Sequence, residues 1–185
     1  MTGRVAVPLP KAYRLLNHGP TVLVSSAHGG QRNVMAAAWN MALDFDPPKV
    51  AVVIDKSTLT RELVEASGEF VLSVPSRQQA AMTLAVGTHS GREFDKFSIA
   101  GVHATAASMV GAPLIEGCLG WLECRVIVEP HIQQSYDLFL AEVVAAWADP
   151  EVFSNGRWHF PDEQRRSIHY LAGGSFFATG DAFEV

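Results

Sequence analysis

Gly117-Cys118-Leu119-Gly120-Trp121-Leu122-Glu123-Cys124-Arg125-Val126-Ile127-Val128-Glu129 carries the longest β signal in the chain. Leu119, Trp121, Glu123, Arg125 and Ile127 alternate with Gly120, Leu122, Cys124, Val126 and Val128, and both sets are substantially apolar. A strand with one wet face would be apolar on alternate positions only. Two apolar faces suit the wall of a barrel with something packed outside it.

Shorter β-rich runs surround this segment. Pro20 to Ser26 closes on the turn signal His28-Gly29-Gly30, and Asn33 to Trp39 restarts the pattern. Lys49 to Ile54 is a continuous apolar run between Asp46-Pro47-Pro48 and Asp55-Lys56-Ser57-Thr58, as expected of a strand buried on both faces. Glu69 to Pro75 and Asp137 to Ala146 add two more strands. The period switches to helical from Thr58 to Ala66, with Leu59, Leu63 and Ala66 on one face and Gly68 as the stop. A second helix is predicted over Gln78 to Val86, ended by Gly87, and a short one near Glu93 to Phe97. The tail from Pro161 to Val185 is polar, then aromatic, broken by Gly173-Gly174 and Gly180. Six or more strands without regular βαβ alternation predict a mainly β barrel with short decorating helices, and nothing divides residues 1–185 into more than one domain.

Composition narrows the function. The chain has 185 residues, 48% hydrophobic and 18% charged, which excludes disorder. A net charge of -5 argues against a nucleic-acid surface, which needs concentrated positive charge. Cys118 and Cys124 show no metal-site spacing, no apolar run has the length of a signal peptide or a membrane span, and a cytoplasmic protein is expected. The scattered histidines are expected at the surface or in hydrogen bonds rather than on a metal. Asp44 and Asp46, before Pro47-Pro48, are expected to fix a turn.

Two stretches can carry chemistry. Asp55-Lys56-Ser57-Thr58-Leu59-Thr60-Arg61 places three hydroxyls and two cations at a strand-to-helix junction, where free amides and the helix dipole favour an anion. Ser57, Thr58, Thr60 and Lys56 then form a phosphate cradle. The plainer alternative is an N-cap at Ser57 or Thr58 with Lys56 and Arg61 solvated. In Asn33-Val34-Met35-Ala36-Ala37-Ala38-Trp39-Asn40, the small side chains let a flat ligand approach the backbone amides and carbonyls. The alternative there is an ordinary buried strand whose alanines make room for neighbours. Asp95-Lys96-Phe97 reads by itself as an exposed charged pair beside one buried aromatic.

In order, Pro20 to Ser25, Asn33 to Trp39, Phe45 to Val50, Gly68 to Pro75, Asp95-Lys96-Phe97, Pro113 to Cys118 with Glu123-Cys124, and Tyr170-Leu171-Ala172-Gly173-Gly174 resemble the flavin reductase-like family, most closely its flavoredoxin-like branch. The resemblance implies an FMN-binding split β-barrel, a homodimer with flavin near the subunit interface, and electron transfer between NAD(P)H and flavin, a monooxygenase or another redox partner. It implies that Asn33, Val34, Met35, Ala36 and Ala37 contact the isoalloxazine largely through backbone. Ser57, Thr58 and Thr60 would hold the phosphate, Asn40 would add a polar contact, and Lys96 would be a cation near the flavin. No side chain is assigned as an acid, base or metal ligand, because hydride transfer to a flavin needs none. One departure is visible: many members carry Gly-Asp-His where this chain has Tyr136-Asp137-Leu138. That leaves a second reading open, a flavin-binding electron carrier without NAD(P)H activity.

Overall fold

The computed structural model describes residues 3–99 and 101–185. In chain order the strands and helices are β1 (Val5–Ala6), β2 (Val22–His28), β3 (Gln31–Ala37), β4 (Asn40–Phe45), β5 (Pro48–Val53), α1 (Leu59–Ser67), β6 (Glu69–Val74), α2 (Ala80–Thr88), β7 (Ala104–Thr105) and β8 (Leu114–Ile115). They continue with β9 (Gly120–Ile127), α3 (Pro130–Tyr136), β10 (Leu138–Ala148), β11 (Phe153–Ser154), β12 (Arg157–Trp158), β13 (Ile168–Ala172) and β14 (Ser175–Ala178).

One sheet of eight strands dominates, in the order β3-β2-β6-β9-β10-β5-β4 with β1 added to β10. Its two end strands, β3 and β4, are joined only by Ala38 and Trp39, so the sheet must curl until its free edges meet at that link. No backbone ladder joins them among the described residues, which makes the barrel split. The protein is mainly β, as the alternation in 117–129 predicts.

β9 explains why both of its faces are apolar. Leu122 and Cys124 point into the barrel, where they pack with Phe70, Leu72, Phe139 and Val143. Trp121 points outward into a second apolar cluster with Leu23, Val71, Val86, Leu114 and Ile115. The outer cover is therefore α2 and the 102–118 segment. Glu123 also points outward, fully buried, and anchors that cover through hydrogen bonds to Ser108, Met109 and Trp147.

Helix α1 is set by its ends. Thr58 caps the N-terminus by accepting from the Arg61 amide at 3.2 Å, and Gly68, at φ 70°, turns the chain out where other residues would be strained. Other expectations need correction. Gly87 does not end α2 but lies inside it, because its missing side chain lets the helix press on β3; a Cβ there would stand 3.2 Å from that of Ala36. The Asn33 to Trp39 strand stops at Ala37, and Trp39 is 75% exposed in the link. β4 and α3 escaped the sequence reading. Asp44 lies in β4, 2.8 Å from Lys49, so only Asp46 belongs to the turn.

Candidate functional site

The two chemistry-bearing stretches meet. Asn33, on β3, donates its side-chain amide to the Thr60 hydroxyl at 2.9 Å, in a fully buried contact that fastens the edge strand to the first turn of α1. Since β3 pairs only with β2 among the described residues, its other edge leaves alternate amides and carbonyls without a sheet partner there. A continuous strip of hydrogen-bonding groups therefore runs from the start of α1 along residues 33–37. Side chains split across it. Val34 and Ala36 face the outer cluster, whereas Met35 and Ala37 pack on the barrel interior, so backbone rather than side chains dominates the free edge.

At the α1 end, Lys56 and Ser57 are exposed and Thr58 is half-buried. The Asp55 carboxylate accepts from the Ser57 amide at 2.8 Å and from its hydroxyl at 2.6 Å, and these bonds hold the Asp55 carboxyl below its usual range. The N-cap alternative describes Thr58 correctly. Thr60, expected to hold phosphate, is fully buried, and its hydroxyl oxygen accepts from Asn33. The first-turn amides of Leu59 and Thr60 have no acceptor within the helix.

Arg61 corrects the expectation of a solvated cation. It is buried and donates to the Ile54 carbonyl at 3.1 Å, the Gln133 carbonyl at 3.0 Å and the Asp137 carboxylate at 3.1 Å, lying 4.6 Å from the Phe139 ring centre. Asp137 thus locks the start of α1 to β10 and also lies 3.8 Å from Lys56. Lys96 is likewise buried, its amine on the Val86 carbonyl at 2.7 Å near the end of α2, and burial lowers its pKa to about 8. The pair Asp95-Lys96 is therefore not an exposed one: Lys96 is the buried member, and half-buried Phe97 packs under the Arg32 guanidinium, 4.0 Å from its ring centre. Asn40 donates to the Pro20 and Ala37 carbonyls at 2.9 and 3.4 Å, pinning the seam between β3 and β4.

Ser90-Gly91-Arg92 escaped the sequence reading. Arg92 Nε reaches the Ser57 carbonyl at 3.4 Å and its Nη1 the Glu62 carboxylate at 3.0 Å, which brings a second cation to the mouth beside Lys56. Gly91 lies so tightly on the Asn33 carboxamide that any side chain would collide with it. A glycine between a hydroxyl and a guanidinium, just after a helix end, was the available signal. At the other end of β3 a cavity of about 200 Å³ is lined by Ala36, Ala38, Gly87, Thr88, Tyr170 and Phe176. A larger cavity, about 540 Å³, involves Gln79, Leu114, Glu116 and Cys118 and none of the predicted site residues.

Comparisons with known proteins identify the family of the chain. The profile described as Flavin reductase like domain matches residues 14–168, and the chain belongs to the flavin reductase-like family. It is 45% identical over 183 residues to YddH of Escherichia coli (strain K12), covering 97% of each chain. It is also similar to the FMN-binding domain of a flavin reductases-like enzyme from Shewanella baltica OS155, with 50% identity, a TM-score of 0.97, and 100% of this chain and 98% of that one covered. The fold is shared with flavoredoxin of Desulfovibrio vulgaris (Miyazaki F) at 23% identity and a TM-score of 0.78, over 90% of each chain. No helix among the described residues is long and apolar enough to cross a membrane.

Proposed function

We propose that the chain is one FMN-binding domain and works as an oxidoreductase, moving hydride or electrons from NAD(P)H through bound flavin to an acceptor. The observation that carries this is the Asn33 to Thr60 hydrogen bond, which joins the helix start and the alanine strand into one strip. The donor set fits the cofactor at both ends. Lys56, Arg92 and the first-turn amides of α1 suit a phosphate, toward which the Ser57 hydroxyl would turn its hydrogen from Asp55, and the free edge of residues 33–37 suits the polar side of a tricyclic ring. Bound flavin supplies the hydride and electron chemistry; the chain positions it and tunes its surroundings. Asn33 and Thr60 hold the strip rigid, Arg61 and Asp137 fix the start of α1, and Lys96 braces the end of α2 against it.

The second reading, an electron carrier, is favoured by one feature: Leu138 stands where the family resemblance implies an imidazole in many members, and Asp137 is held by Arg61. Mixing FMN-loaded protein with NADH and with NADPH under anaerobic conditions decides between them. Bleaching of the flavin absorption within seconds is the expected result, whereas unchanged absorption with both would leave the carrier.

We further propose a homodimer. Trp39, Met41, Leu43 and Phe45 are 75%, 55%, 45% and 62% exposed, an apolar stripe along the edge strand that alternates with the half-buried Asn40, Ala42 and Asp44. Such a stripe favours covering by a second copy, and Trp39 follows Ala38 directly, so a partner would adjoin the ring end of the site. Wild-type protein should sediment as a dimer at micromolar concentration and Met41→Asp with Phe45→Asp as a monomer; a monomeric wild type would refute this.

A further inference from the structure

The β13–β14 hairpin turns on Gly173 and Gly174, both at positive φ, and sets Tyr170 directly across from Phe176. Their rings meet edge to face with centres 5.2 Å apart, and both line the cavity that Ala36 and Ala38 also line. Tyr170 remains 40% exposed, so its ring is not consumed by core packing. The fully buried Thr83 lines the same cavity, and its hydroxyl has no hydrogen-bond partner among the described residues. This is a slot with small side chains, two aromatic rings and a spare polar group.

The hairpin is held to the barrel by more than its backbone. The Thr21 amide donates to the Ile168 carbonyl at 2.8 Å, and the Tyr170 amide to the Thr21 hydroxyl at 2.8 Å. Alongside runs a chain of four side chains: His18 Nε2 to Ser167 Oγ at 2.8 Å, Ser167 Oγ to Thr179 Oγ1 at 2.6 Å, and Thr179 Oγ1 to His169 Nε2 at 2.9 Å. Its direction follows from its far end. His169 Nδ1 lies 2.9 Å from the Gly19 carbonyl, which can only accept, so Nδ1 carries the hydrogen and Nε2 is left to accept from Thr179. Thr179 then accepts from Ser167, and Ser167 accepts from His18 Nε2. That leaves His18 Nδ1 as a bare lone pair, and it is indeed buried without a partner among the described residues. Burial lowers the His18 pKa to about 4, in keeping with a neutral ring.

We propose that this hairpin is the wall that receives the second reactant: Tyr170 and Phe176 select a flat heteroaromatic ring, and the His18–Ser167–Thr179–His169 chain positions them at the cavity. The proposal rests on the flavin reading above. The ring class covers a nicotinamide and a second flavin, which the experiment separates.

Calorimetric titration of FMN-saturated protein with oxidised nicotinamide mononucleotide, and separately with riboflavin, tests it. Tyr170→Ala with Phe176→Ala should weaken one of the two probes at least tenfold while the affinity for FMN changes less than threefold; the probe affected identifies the reactant. Unchanged binding of both probes, or an equal loss of FMN, would overturn the proposal. Should the double variant not fold, Tyr170→Leu, at a partly exposed position, should give the same split at about fivefold. Thr179→Val, which keeps the shape but breaks the chain, should weaken the probe severalfold, and Thr179→Ser should restore it. Wild-type binding in Thr179→Val would remove the positioning role. A wild type that never takes up FMN is a different failure, since it removes the flavin reading itself.

Discussion

Protein carrying Ser57→Ala and Arg92→Ala together will bind FMN about tenfold to a few thousandfold more weakly than wild type, while riboflavin changes by less than about threefold. Two charge-assisted hydrogen bonds contribute about 1.5 to 3 kcal/mol each, and every 1.4 kcal/mol is about a factor of ten. Exposure of both residues favours the lower half of that span. Riboflavin lacks the phosphate, so it has nothing to lose at this end. Thr60 is left intact on purpose. Its hydroxyl accepts from Asn33, and removing it would leave a buried amide unpaired and disturb the ring end as well. Fluorescence quenching titrations of the two flavins read the ratio directly, and an equal loss for both would show that the phosphate lies elsewhere.

Glu123→Ala will lower the free energy of unfolding by about 3 to 5 kcal/mol, the cost of removing one side of a buried charged network. Its carboxylate is fully buried and accepts from the Ser108 amide and hydroxyl at 3.0 Å, the Met109 amide at 2.6 Å and Trp147 Nε1 at 2.8 Å. All four donors would lose this acceptor at once, and the 105–111 loop would be left on β9 with the Arg125 contact to the Met109 carbonyl at 3.0 Å. Burial alone would raise the Glu123 pKa, but these donors outweigh it and the carboxyl ends below its usual 4.5. A depressed folded pKa stabilises above the unfolded value, and that contribution disappears as pH falls through the folded one. Wild type should therefore lose stability below about pH 4.5 more steeply than Glu123→Ala. Denaturant melts at neutral and acid pH measure both effects; a difference under about 1 kcal/mol at neutral pH would mean that the anchor is dispensable.

The barrel was legible because burial on both faces leaves a mark on composition. Lys49 to Ile54, Glu69 to Pro75 and Gly117 to Glu129 each read as strands and are strands within a few residues. α1 was legible from its two ends, Thr58 and Gly68. β4 was not, because its outward positions Met41, Leu43 and Phe45 are apolar and its inward Asp44 is ionic, the reverse of what a solvated edge should show. Within the site, the two stretches could be found one at a time, but their contact through Asn33 and Thr60 is a tertiary fact. Arg61 and Lys96 looked like ordinary surface cations, since only the fold reveals the carbonyls that let them be buried. Arg92 was hidden by lying in a loop without periodicity.

A crystal of the protein grown with FMN tests the central claim most directly. The account predicts the phosphate against residues 56–60 and Arg92, with the isoalloxazine lying along the free edge of residues 33–37. Flavin bound in the cavity bordered by Leu114, Glu116 and Cys118, or ring and phosphate exchanged end for end, would contradict it.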